Sequence, residues 1–409
     1  MPSSFEFSRR TDWELTSNRL NDELERLRSQ KVSVIDLTES NPTRCGFSYP
    51  AEILTALNNP DNLKYVADSK GMRQAREEVA KYYTSQSSKV DPESIILTSS
   101  TSEAYTFLLQ LLVNPQERVL IARPSYPLFQ YLIELSDAQY DFYPLVFDPS
   151  TRAANLDLKI SRGTSPVGLR GRWRIDLDAL EDAITPTTRA IILVNPNNPT
   201  GSFSPKEELK AINVLCRKHQ MAVISDEVFF DYRIDDKADN VVSLINNTEV
   251  PTFVLGGLSK SLGLPQMKLS WIVASGPQKE TKEALARLEM IADTFLSVNT
   301  PVQNALAAWF SLRTKIQQQI LDRIRRNHDT VLHFAQMHGI ECLPAQGGWY
   351  AVLKIPSVKN EEEWILDLLR KKHVLVHPGY FFDFQEEGHV VISLLTEPGQ
   401  LMAGLQAIV

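Results

Sequence analysis

The chain has 409 residues, of which 43% are hydrophobic and 23% charged, and it carries a formal net charge of −7 at pH 7. This length and composition are typical of a globular protein with one large and one smaller domain, and they exclude a mostly disordered chain. The acidic balance also excludes a general electrostatic attraction to nucleic acid or to an anionic membrane surface.

The sequence shows no targeting or metal-binding pattern. The first ten residues lack the apolar segment of a signal peptide, and no apolar run reaches the length that spans a bilayer. The three cysteines, Cys45, Cys216 and Cys342, lie far apart, which favours reduced thiols over a disulfide framework. The histidines show no metal-ligand spacing. We therefore expect a cytoplasmic protein that binds no metal.

The N-terminal segment predicts a helix, a strand and a loop. Residues Thr11–Gln30 place leucines at positions 15, 20, 24 and 27 among charged residues, which is the pattern of an amphipathic helix. Val32–Leu37 is a short strand-like run. Ser40–Gly46 contains Asn-Pro and ends in glycine, so it is predicted to be a loop.

From Ser94 onward, short apolar runs alternate with helical patterns. Helical periodicity is found at Glu103–Leu112, Tyr126–Leu135 and Pro205–His219. The apolar runs are Ser94–Leu97, Val119–Ala122, Tyr140–Phe147, Ala190–Val194, Ala222–Ser225, Thr252–Leu255 and Leu269–Ala274. Runs this apolar favour strands that are buried on both faces. We therefore predict an α/β fold with a mostly parallel, seven-stranded sheet sandwiched by helices, whose ligands bind at the carboxyl ends of the strands.

The C-terminal part predicts a smaller α/β unit. A long helical stretch runs from about Leu296 through His338. Strand candidates follow at Trp349–Ile355, Val374–His377 and Val390–Leu394.

One lysine is notable because small residues surround it directly after an apolar run. Lys260 lies in the segment Leu-Gly-Gly-Leu-Ser-Lys-Ser, which begins at Leu255. A lysine in a partly desolvated pocket beside another cation loses its proton and forms a Schiff base with a carbonyl group. Lys268 is a candidate for that cation. The alternative is a solvated lysine in a glycine-rich surface loop.

Two further motifs also follow predicted strands. Val194–Gly201 reads Val-Asn-Pro-Asn-Asn-Pro-Thr-Gly, and Met221–Phe229 carries the acidic pair Asp226-Glu227 after an apolar run. Together with the Lys260 segment, and in this order, these motifs resemble those of pyridoxal-phosphate-dependent aminotransferases of class I/II, in the aspartate aminotransferase superfamily of fold type I. The resemblance extends from about Asp36 to the C-terminus, and the combination of three motifs is specific.

The resemblance implies a domain organisation and an assembly. Residues 49–296 would form the large domain that binds pyridoxal phosphate, and residues 297–409 the small domain. Residues 1–48 would supply an N-terminal arm, a helix and part of the small domain. Tyr65 resembles the tyrosine that reaches the phosphate of a neighbouring subunit, which implies a homodimer with shared active sites. Against the family, the polar stretch between Pro149 and Arg172 is an insertion, predicted to be a surface loop.

The resemblance also assigns the residues that contact the cofactor ring. Lys260 would hold pyridoxal phosphate as a Schiff base, and Asp226 would keep the pyridine nitrogen protonated, which makes the ring an electron sink. Asn198 would bind the phenolic oxygen, although it is also a typical turn residue. Tyr126 would stack on the ring, and the alternative for it is ordinary core packing.

A second group of residues would bind the cofactor phosphate. Ser100, Thr101 and Ser102 open a predicted helix directly after a predicted strand, where backbone N–H groups and the helix dipole favour an anion. The alternative is an ordinary helix cap. Ser259 and Lys268 would complete the site.

Three cofactor-site positions or their neighbours differ from the usual family pattern. Lysine stands at position 268 where arginine is usual, which keeps the charge but loses bidentate binding. Gly257 stands where serine is usual. Phe229 stands where many relatives have a tyrosine whose hydroxyl binds the phenolic oxygen.

The substrate-binding position differs most. The family's arginine for the substrate carboxylate aligns with Val391, and no arginine follows Arg370 in the sequence. Arg44 in the predicted loop is the first candidate to replace it, together with Asn198, although Arg44 as an ordinary surface residue is an equal alternative. The aromatic residues at 349, 350 and 380–382 are candidates for an apolar substrate subsite, or for core packing.

The leading functional hypothesis is a pyridoxal-phosphate-dependent aminotransferase that acts on an amino acid and a 2-oxo acid, with a preference for aromatic or aliphatic amino donors. In it, Lys260 moves a proton as general base and acid. Because Val391 cannot bind a carboxylate, a lyase, decarboxylase or racemase that uses the same cofactor is the first alternative. A binding or regulatory protein with this fold is the second.

Overall fold

A computed structural model describes residues 5–86, 88–152, 170–234, 241–296, 298–355 and 360–409. In this part of the chain the predicted α/β fold is confirmed: helices cover both faces of a large sheet, and a small antiparallel sheet follows near the C-terminus. The helices are α1 (Arg19–Ser29), α2 (Glu52–Thr55), α3 (Arg73–Thr84), α4 (Thr101–Leu112), α5 (Leu128–Leu135), α6 (Leu177–Asp182), α7 (Lys206–His219), α8 (Leu258–Ser261), α9 (Gln278–Phe295), α10 (Thr300–Ser311), α11 (Arg313–His338), α12 (Glu361–Lys372) and α13 (Pro398–Ile408).

The strands form a large sheet, a small sheet and one isolated pair. They are β1 (Ile35–Asp36), β2 (Ile95–Thr98), β3 (Arg118–Arg123), β4 (Gln139–Arg152), β5 (Arg170–Ile175), β6 (Thr188–Val194), β7 (Ala222–Asp226), β8 (Thr252–Gly257), β9 (Ser270–Ser275), β10 (Glu341–Leu343), β11 (Tyr350–Lys354), β12 (Val374–Leu375), β13 (His377–Pro378) and β14 (His389–Ser393). The large sheet has the order β2-β9-β8-β7-β6-β3-β4-β5. Only β9 and β5 run against the common direction of the other strands.

The large sheet has eight described strands instead of the predicted seven. The seven predicted runs correspond to β2, β3, β4, β6, β7, β8 and β9, and the additional edge strand is β5. Its sequence alternates arginines with other residues, so it reads as a polar surface segment. The structure buries Trp173 and Ile175 and exposes Arg172 and Arg174, which is the alternation of an edge strand with one face covered. Residues 153–169 of the predicted insertion lie outside the described residues.

Side chains alternate between two hydrophobic cores on the two faces of the large sheet. In β7, Ala222 and Ile224 contact the core that contains residues of α4, α5 and α9. Val223 lies between them and contacts the opposite core, to which α3, α7, α10 and α11 contribute. Because both faces are covered, the strands are apolar throughout, as the sequence indicated.

The small sheet has the order β10-β11-β14-β13 and is antiparallel. The N-terminal segment joins this end of the molecule, because β1 pairs with β12 in parallel, with Ile35 beside Val374 and Asp36 beside Leu375. The assignment of the N-terminal segment to a smaller domain stays a prediction.

The first helix is shorter than predicted. It begins at Arg19 rather than near Thr11, because the Asn18 side chain accepts a hydrogen bond from the Asn21 N–H and caps the helix there. The preceding arm lies against α5, where the Trp13 Nε1–H donates to Glu134 at 2.7 Å. Within the described ranges, no helix has the length and apolar character that crossing a membrane requires.

Candidate active site

The strand register brings the three sequence motifs to one edge of the large sheet. Val194 at the end of β6 lies beside Asp226 at the end of β7, and Asp226 lies beside Leu255 near the end of β8. Asn198 and Lys260 follow these strand ends within a few residues. Their side chains therefore belong to one site at the carboxyl ends of neighbouring parallel strands.

Lys260 lies in the short helix α8 against aromatic rings. Its Nζ atom is 4.6 Å from the ring centre of Trp349 and 5.1 Å from that of Phe229. Burial lowers the pKa of Lys260 to about 8, while the negative charge of Asp226 acts in the opposite direction. The Tyr232 hydroxyl donates to the Lys260 backbone oxygen at 2.5 Å and holds this turn in place. The site thus contains an amine that loses its proton more easily than an exposed lysine does.

Asp226 is a buried carboxylate at the end of β7, with 8% of its surface exposed. Its Oδ2 accepts a hydrogen bond from the Tyr105 hydroxyl at 2.9 Å, and its Oδ1 accepts one from the Val228 N–H at 3.2 Å. Burial raises the pKa of Asp226, while these two hydrogen bonds and the charge of Lys260 lower it. An ionised carboxylate has about four acceptor positions, so this group retains acceptor capacity for a further donor.

Asn198 presents an unused polar atom to the site. Its side chain is buried, and its Oδ1 atom has no hydrogen-bond partner among the described residues. The neighbouring Asn197 fixes the loop, because its Nδ2 donates to the Pro124 backbone oxygen at 3.2 Å and to Thr200 Oγ1 at 3.0 Å. A buried polar atom without a partner is costly, so this oxygen has an unused place for a hydrogen-bond donor.

The predicted phosphate-binding residues converge at the neighbouring strand ends. Ser270, the first residue of β9, lies between Thr98 at the end of β2 and Gly257 at the end of β8. The N-terminus of α4 and the residues around Lys268 therefore lie at the same edge of the sheet. A Cβ atom on Gly257 would clash with Ser270 Oγ, which explains glycine at this position.

Ser100 is the N-cap of α4, and its Oγ accepts a hydrogen bond from the Glu103 N–H at 3.1 Å. The cap that the sequence offered as an alternative is therefore present, and its hydroxyl hydrogen can still be donated to a ligand. Thr101, Ser102 and Ser259 are partly exposed in first turns of α4 and α8. Lys268 is exposed, and among the described residues no carboxylate forms an ion pair with it.

The remaining predicted residues occupy three different settings. Tyr126 is 42% exposed and close enough to Asp226 for that charge, together with burial, to raise its pKa. Tyr65 is 73% exposed and lies on the surface. The Arg44 side chain is 74% exposed, with Nη1 3.6 Å from Glu39 Oε2. Arg44 thus lies at the surface, paired with Glu39, and its role in substrate binding stays a prediction.

Val391 lies within an apolar row across the small sheet. It pairs with Val352 and His377, and Val352 in turn pairs with Leu343. Val391 has no exposed surface and belongs to a cluster that includes Phe382 and, from the edge strand β5, Trp173. This position is part of a buried hydrophobic cluster, so Val391 does not face a solvent-exposed binding site.

Sequence reasoning missed two contributions to the site. Tyr105 was not singled out, because its partner Asp226 is 121 residues away and no local pattern joins them. Trp349 was named only as a candidate subsite residue, and its glycine-rich approach, Gly347-Gly348, was the available signal. In the structure it is fully buried beneath Lys260 and contacts Phe229 and Tyr232 edge to face. The adjacent Tyr350 hydroxyl bonds to Ser40 in the loop that the sequence predicted, and burial raises the pKa of Tyr350 to about 12.

Comparisons with known proteins identify the family to which this chain belongs. Residues 32–408 match the family model for aminotransferase class I and II. Glutamate-pyruvate aminotransferase AlaA of Escherichia coli K12 is 28% identical over 383 residues, covering 91% of this chain and 89% of that protein. Alanine aminotransferase of Mycobacterium tuberculosis H37Rv is 26% identical over 394 residues, covering 93% and 86%.

Solved structures show the same fold. An aminotransferase from Escherichia coli has a TM-score of 0.81 at 26% identity, covering 99% of this chain and 97% of that chain. Alanine aminotransferase from Pyrococcus furiosus has a TM-score of 0.84 at 23% identity, covering 98% of each chain. The family match over nearly the whole length and the strand-end site lead to one conclusion: the chain belongs to the aminotransferase class I and II family of transferase enzymes.

Proposed function

We propose that this enzyme transfers amino groups between an amino acid and a 2-oxo acid, with pyridoxal phosphate held by Lys260. The observation that carries the proposal is the pairing of Lys260, whose pKa burial lowers to about 8, with the buried carboxylate of Asp226 at adjacent strand ends. A cofactor that carries an aldehyde requires an amine that loses its proton easily. A cofactor with a basic ring nitrogen requires a carboxylate that is shielded from water.

The other residues of the site fit the cofactor. Asn198 Oδ1 is buried without a partner, Asp226 retains acceptor capacity, and Lys268 offers a positive charge that is not paired with a described carboxylate. The N-terminus of α4, with Thr101 and Ser102, supplies N–H and O–H donors for a phosphate. Pyridoxal phosphate, when bound, supplies an aldehyde for covalent attachment to an amine and a ring that accepts electrons from the substrate.

Each side chain then has a task that follows from its position. Lys260 Nζ would hold the cofactor, and with a substrate amine in its place it would accept a proton and return it. A pKa near 8 suits both steps, because the neutral and the protonated forms are both populated near neutral pH. Asp226 would accept a hydrogen bond from the protonated ring nitrogen with the lone pairs that Tyr105 and Val228 leave free. Trp349 and Phe229 exclude water around Nζ, which strengthens the electrostatic interactions there.

The finer assignments are part of the same proposal. Aromatic or aliphatic amino donors are supported by the aromatic rings of Tyr126 and Tyr350 near the site and by relatives named alanine and tyrosine aminotransferases. A homodimer is supported by Tyr65, which is exposed and available to a second subunit. The comparisons give no support to the lyase alternative. Cytoplasmic location and the domain limits at residues 48/49 and 296/297 stay predictions.

Absorption spectroscopy and product analysis test the proposal. The purified enzyme, Lys260→Ala and the matched control Lys210→Ala, which removes an exposed lysine on α7, are incubated with pyridoxal phosphate. We expect a visible absorption band in the wild type and the control but not in Lys260→Ala. With a panel of amino acids and 2-oxoglutarate, we expect keto acids as products. Failure of the wild type to take up cofactor, or release of ammonia or carbon dioxide instead of keto acid, would contradict the proposal.

A further inference from the structure

The hydrogen bond between Tyr105 and Asp226 joins two buried groups on different elements. Tyr105 lies in α4 and is 3% exposed, and Asp226 ends β7 and is 8% exposed. Their oxygen atoms are 2.9 Å apart. A hydrogen bond to an ionised group is stronger than one between neutral groups, and burial increases the difference.

The tyrosine is fixed as the donor of this bond. Burial and the charge of Asp226 both raise the pKa of Tyr105 well above its ordinary value, so the phenol keeps its proton near neutral pH. An ionised carboxylate only accepts hydrogen bonds. Tyr105 therefore adds a hydrogen bond to Asp226 without adding a charge. Phe129 contacts the ring edge to face, with centres 5.2 Å apart, and restricts its orientation.

The other groups around Asp226 do not replace this donor. On its own element, the Val228 N–H donates to the other carboxylate oxygen, and the buried Glu227 is a second acid whose pKa burial raises to about 7. From α8, Lys260 contributes a positive charge, but in the proposed function its amine is bound to the cofactor. From the loop after β3, Tyr126 is near Asp226 but forms no hydrogen bond with it among the described contacts. Tyr105 is thus the side-chain donor that holds Oδ2.

We infer that Tyr105 is a positioning residue for amino transfer: its hydroxyl donates to Asp226 Oδ2 and keeps this carboxylate ionised and oriented for the ring nitrogen of the cofactor. This inference rests on the proposed function. Without the donor, the buried carboxylate loses a hydrogen bond that favours its charged form, so it holds a protonated ring nitrogen less well. Loss of the Tyr105 hydroxyl should therefore weaken the binding only of ligands that carry this ring nitrogen.

The test compares two cofactors on apoenzyme. Dissociation constants are measured for pyridoxal phosphate and for its 1-deaza analogue, in which a C–H group replaces the ring nitrogen. The variant is Tyr105→Phe. The matched control is Tyr143→Phe, which also removes a buried hydroxyl, one that donates to the Ile192 backbone oxygen at 2.8 Å.

For Tyr105→Phe we expect pyridoxal phosphate to bind roughly 10- to 100-fold more weakly, the effect of losing one hydrogen bond to a charged group. The deaza analogue should bind nearly as well as it does to the wild type, and Tyr143→Phe should affect both ligands equally. In an Asp226→Asn background, Tyr105→Phe should have no further selective effect. The activity of Tyr105→Phe should fall in kcat with little change in KM.

An equal loss of affinity for both cofactors, or no loss for either, would overturn the inference and leave Tyr105 a structural residue. If Tyr105→Phe does not fold, 3,5-difluorotyrosine at position 105 keeps the shape and strengthens the donor, and it should increase the preference for pyridoxal phosphate over the analogue. An unchanged preference would then overturn the inference. A wild-type enzyme that binds no cofactor through Lys260 would instead refute the proposed function, so the two failures are distinct.

Discussion

Replacing Val391 by arginine tests whether this position faces the substrate or belongs to the core. Val391 has no exposed surface and lies among Val352, Phe382 and Trp173. Val352, Phe382 and Trp173 carry no negative charge, so a guanidinium placed among them would be buried without an ionic partner from these three side chains. We therefore expect the free energy of unfolding to fall by about 3 to 5 kcal/mol, the usual cost of leaving a buried charge uncompensated.

Overpacking adds to this cost, because arginine is much larger than valine and Val391 has no exposed surface; forced insertions cost about 1 to 3 kcal/mol. Since a native protein is stable by only about 5 to 15 kcal/mol, the variant should be close to unfolding at 25 °C. Urea denaturation measures the change as a lower midpoint. Val391→Ile is the control; it adds one methylene and no charge, so it should cost only the overpacking contribution of about 1 to 3 kcal/mol. A Val391→Arg enzyme with an unchanged midpoint and tighter binding of amino acids would refute this reasoning and show that the side chain reaches the substrate.

Three further predictions concern the cofactor site. We expect apoenzyme to bind pyridoxal phosphate covalently at a rate that rises with pH, as Lys260 Nζ loses its proton, and levels off above about pH 8. A rate that levels off only near the ordinary lysine pKa would contradict the conclusion that burial lowers the pKa of Lys260. Trp349→Ala should lower the free energy of unfolding by about 3 to 5 kcal/mol, as measured by urea denaturation. Trp349→Ala should also raise the pH at which the rate of covalent cofactor binding levels off, because water then reaches Lys260 Nζ. An unchanged pH profile would exclude a role for the Trp349 ring in lowering the pKa of Lys260. Lys268→Ala should weaken binding of pyridoxal phosphate but not of pyridoxal, whereas Lys268→Arg should keep or strengthen the binding of pyridoxal phosphate, because a guanidinium binds phosphate with two donors. Titration of apoenzyme with both ligands measures these affinities. Equal losses of affinity for pyridoxal phosphate and pyridoxal would count against a phosphate contact.

The sequence predicted the part of the site that depends on local motifs. Lys260, Asp226 and Asn198 each follow an apolar strand, and because neighbouring parallel strands end at the same edge, their separate positions in the chain predict one site. The residues proposed to bind the phosphate were chosen for the same reason: Ser100 follows the end of β2 after one residue and caps α4, and its phosphate contact stays a prediction.

What the sequence could not predict depends on contacts between distant residues. The donor to Asp226 comes from α4, and its partner could not be chosen among the tyrosines without the packing of that helix. Strand β5 was missed because its arginines obscure the alternation that the structure shows at Trp173. That strand contributes Trp173 to the apolar cluster around Val391. The sequence showed that the family's arginine is absent at this position, but it did not show that Val391 is buried in this cluster.

The predicted division into domains is also a matter of packing. One hydrophobic core contains Leu24 from the N-terminal segment, Val254 from the large sheet and Leu405 from the last helix. Continuous packing of this kind does not reveal domain limits, so the boundaries remain predictions from the sequence and its resemblance to the family.

The central claim is that Lys260 is the residue that holds the cofactor. The most direct measurement is reduction of the enzyme with borohydride in the presence of pyridoxal phosphate, followed by mass spectrometry of its peptides. We predict one phosphopyridoxyl group per chain, located on Lys260. A group on another lysine, or a chain that remains unmodified, would contradict this account.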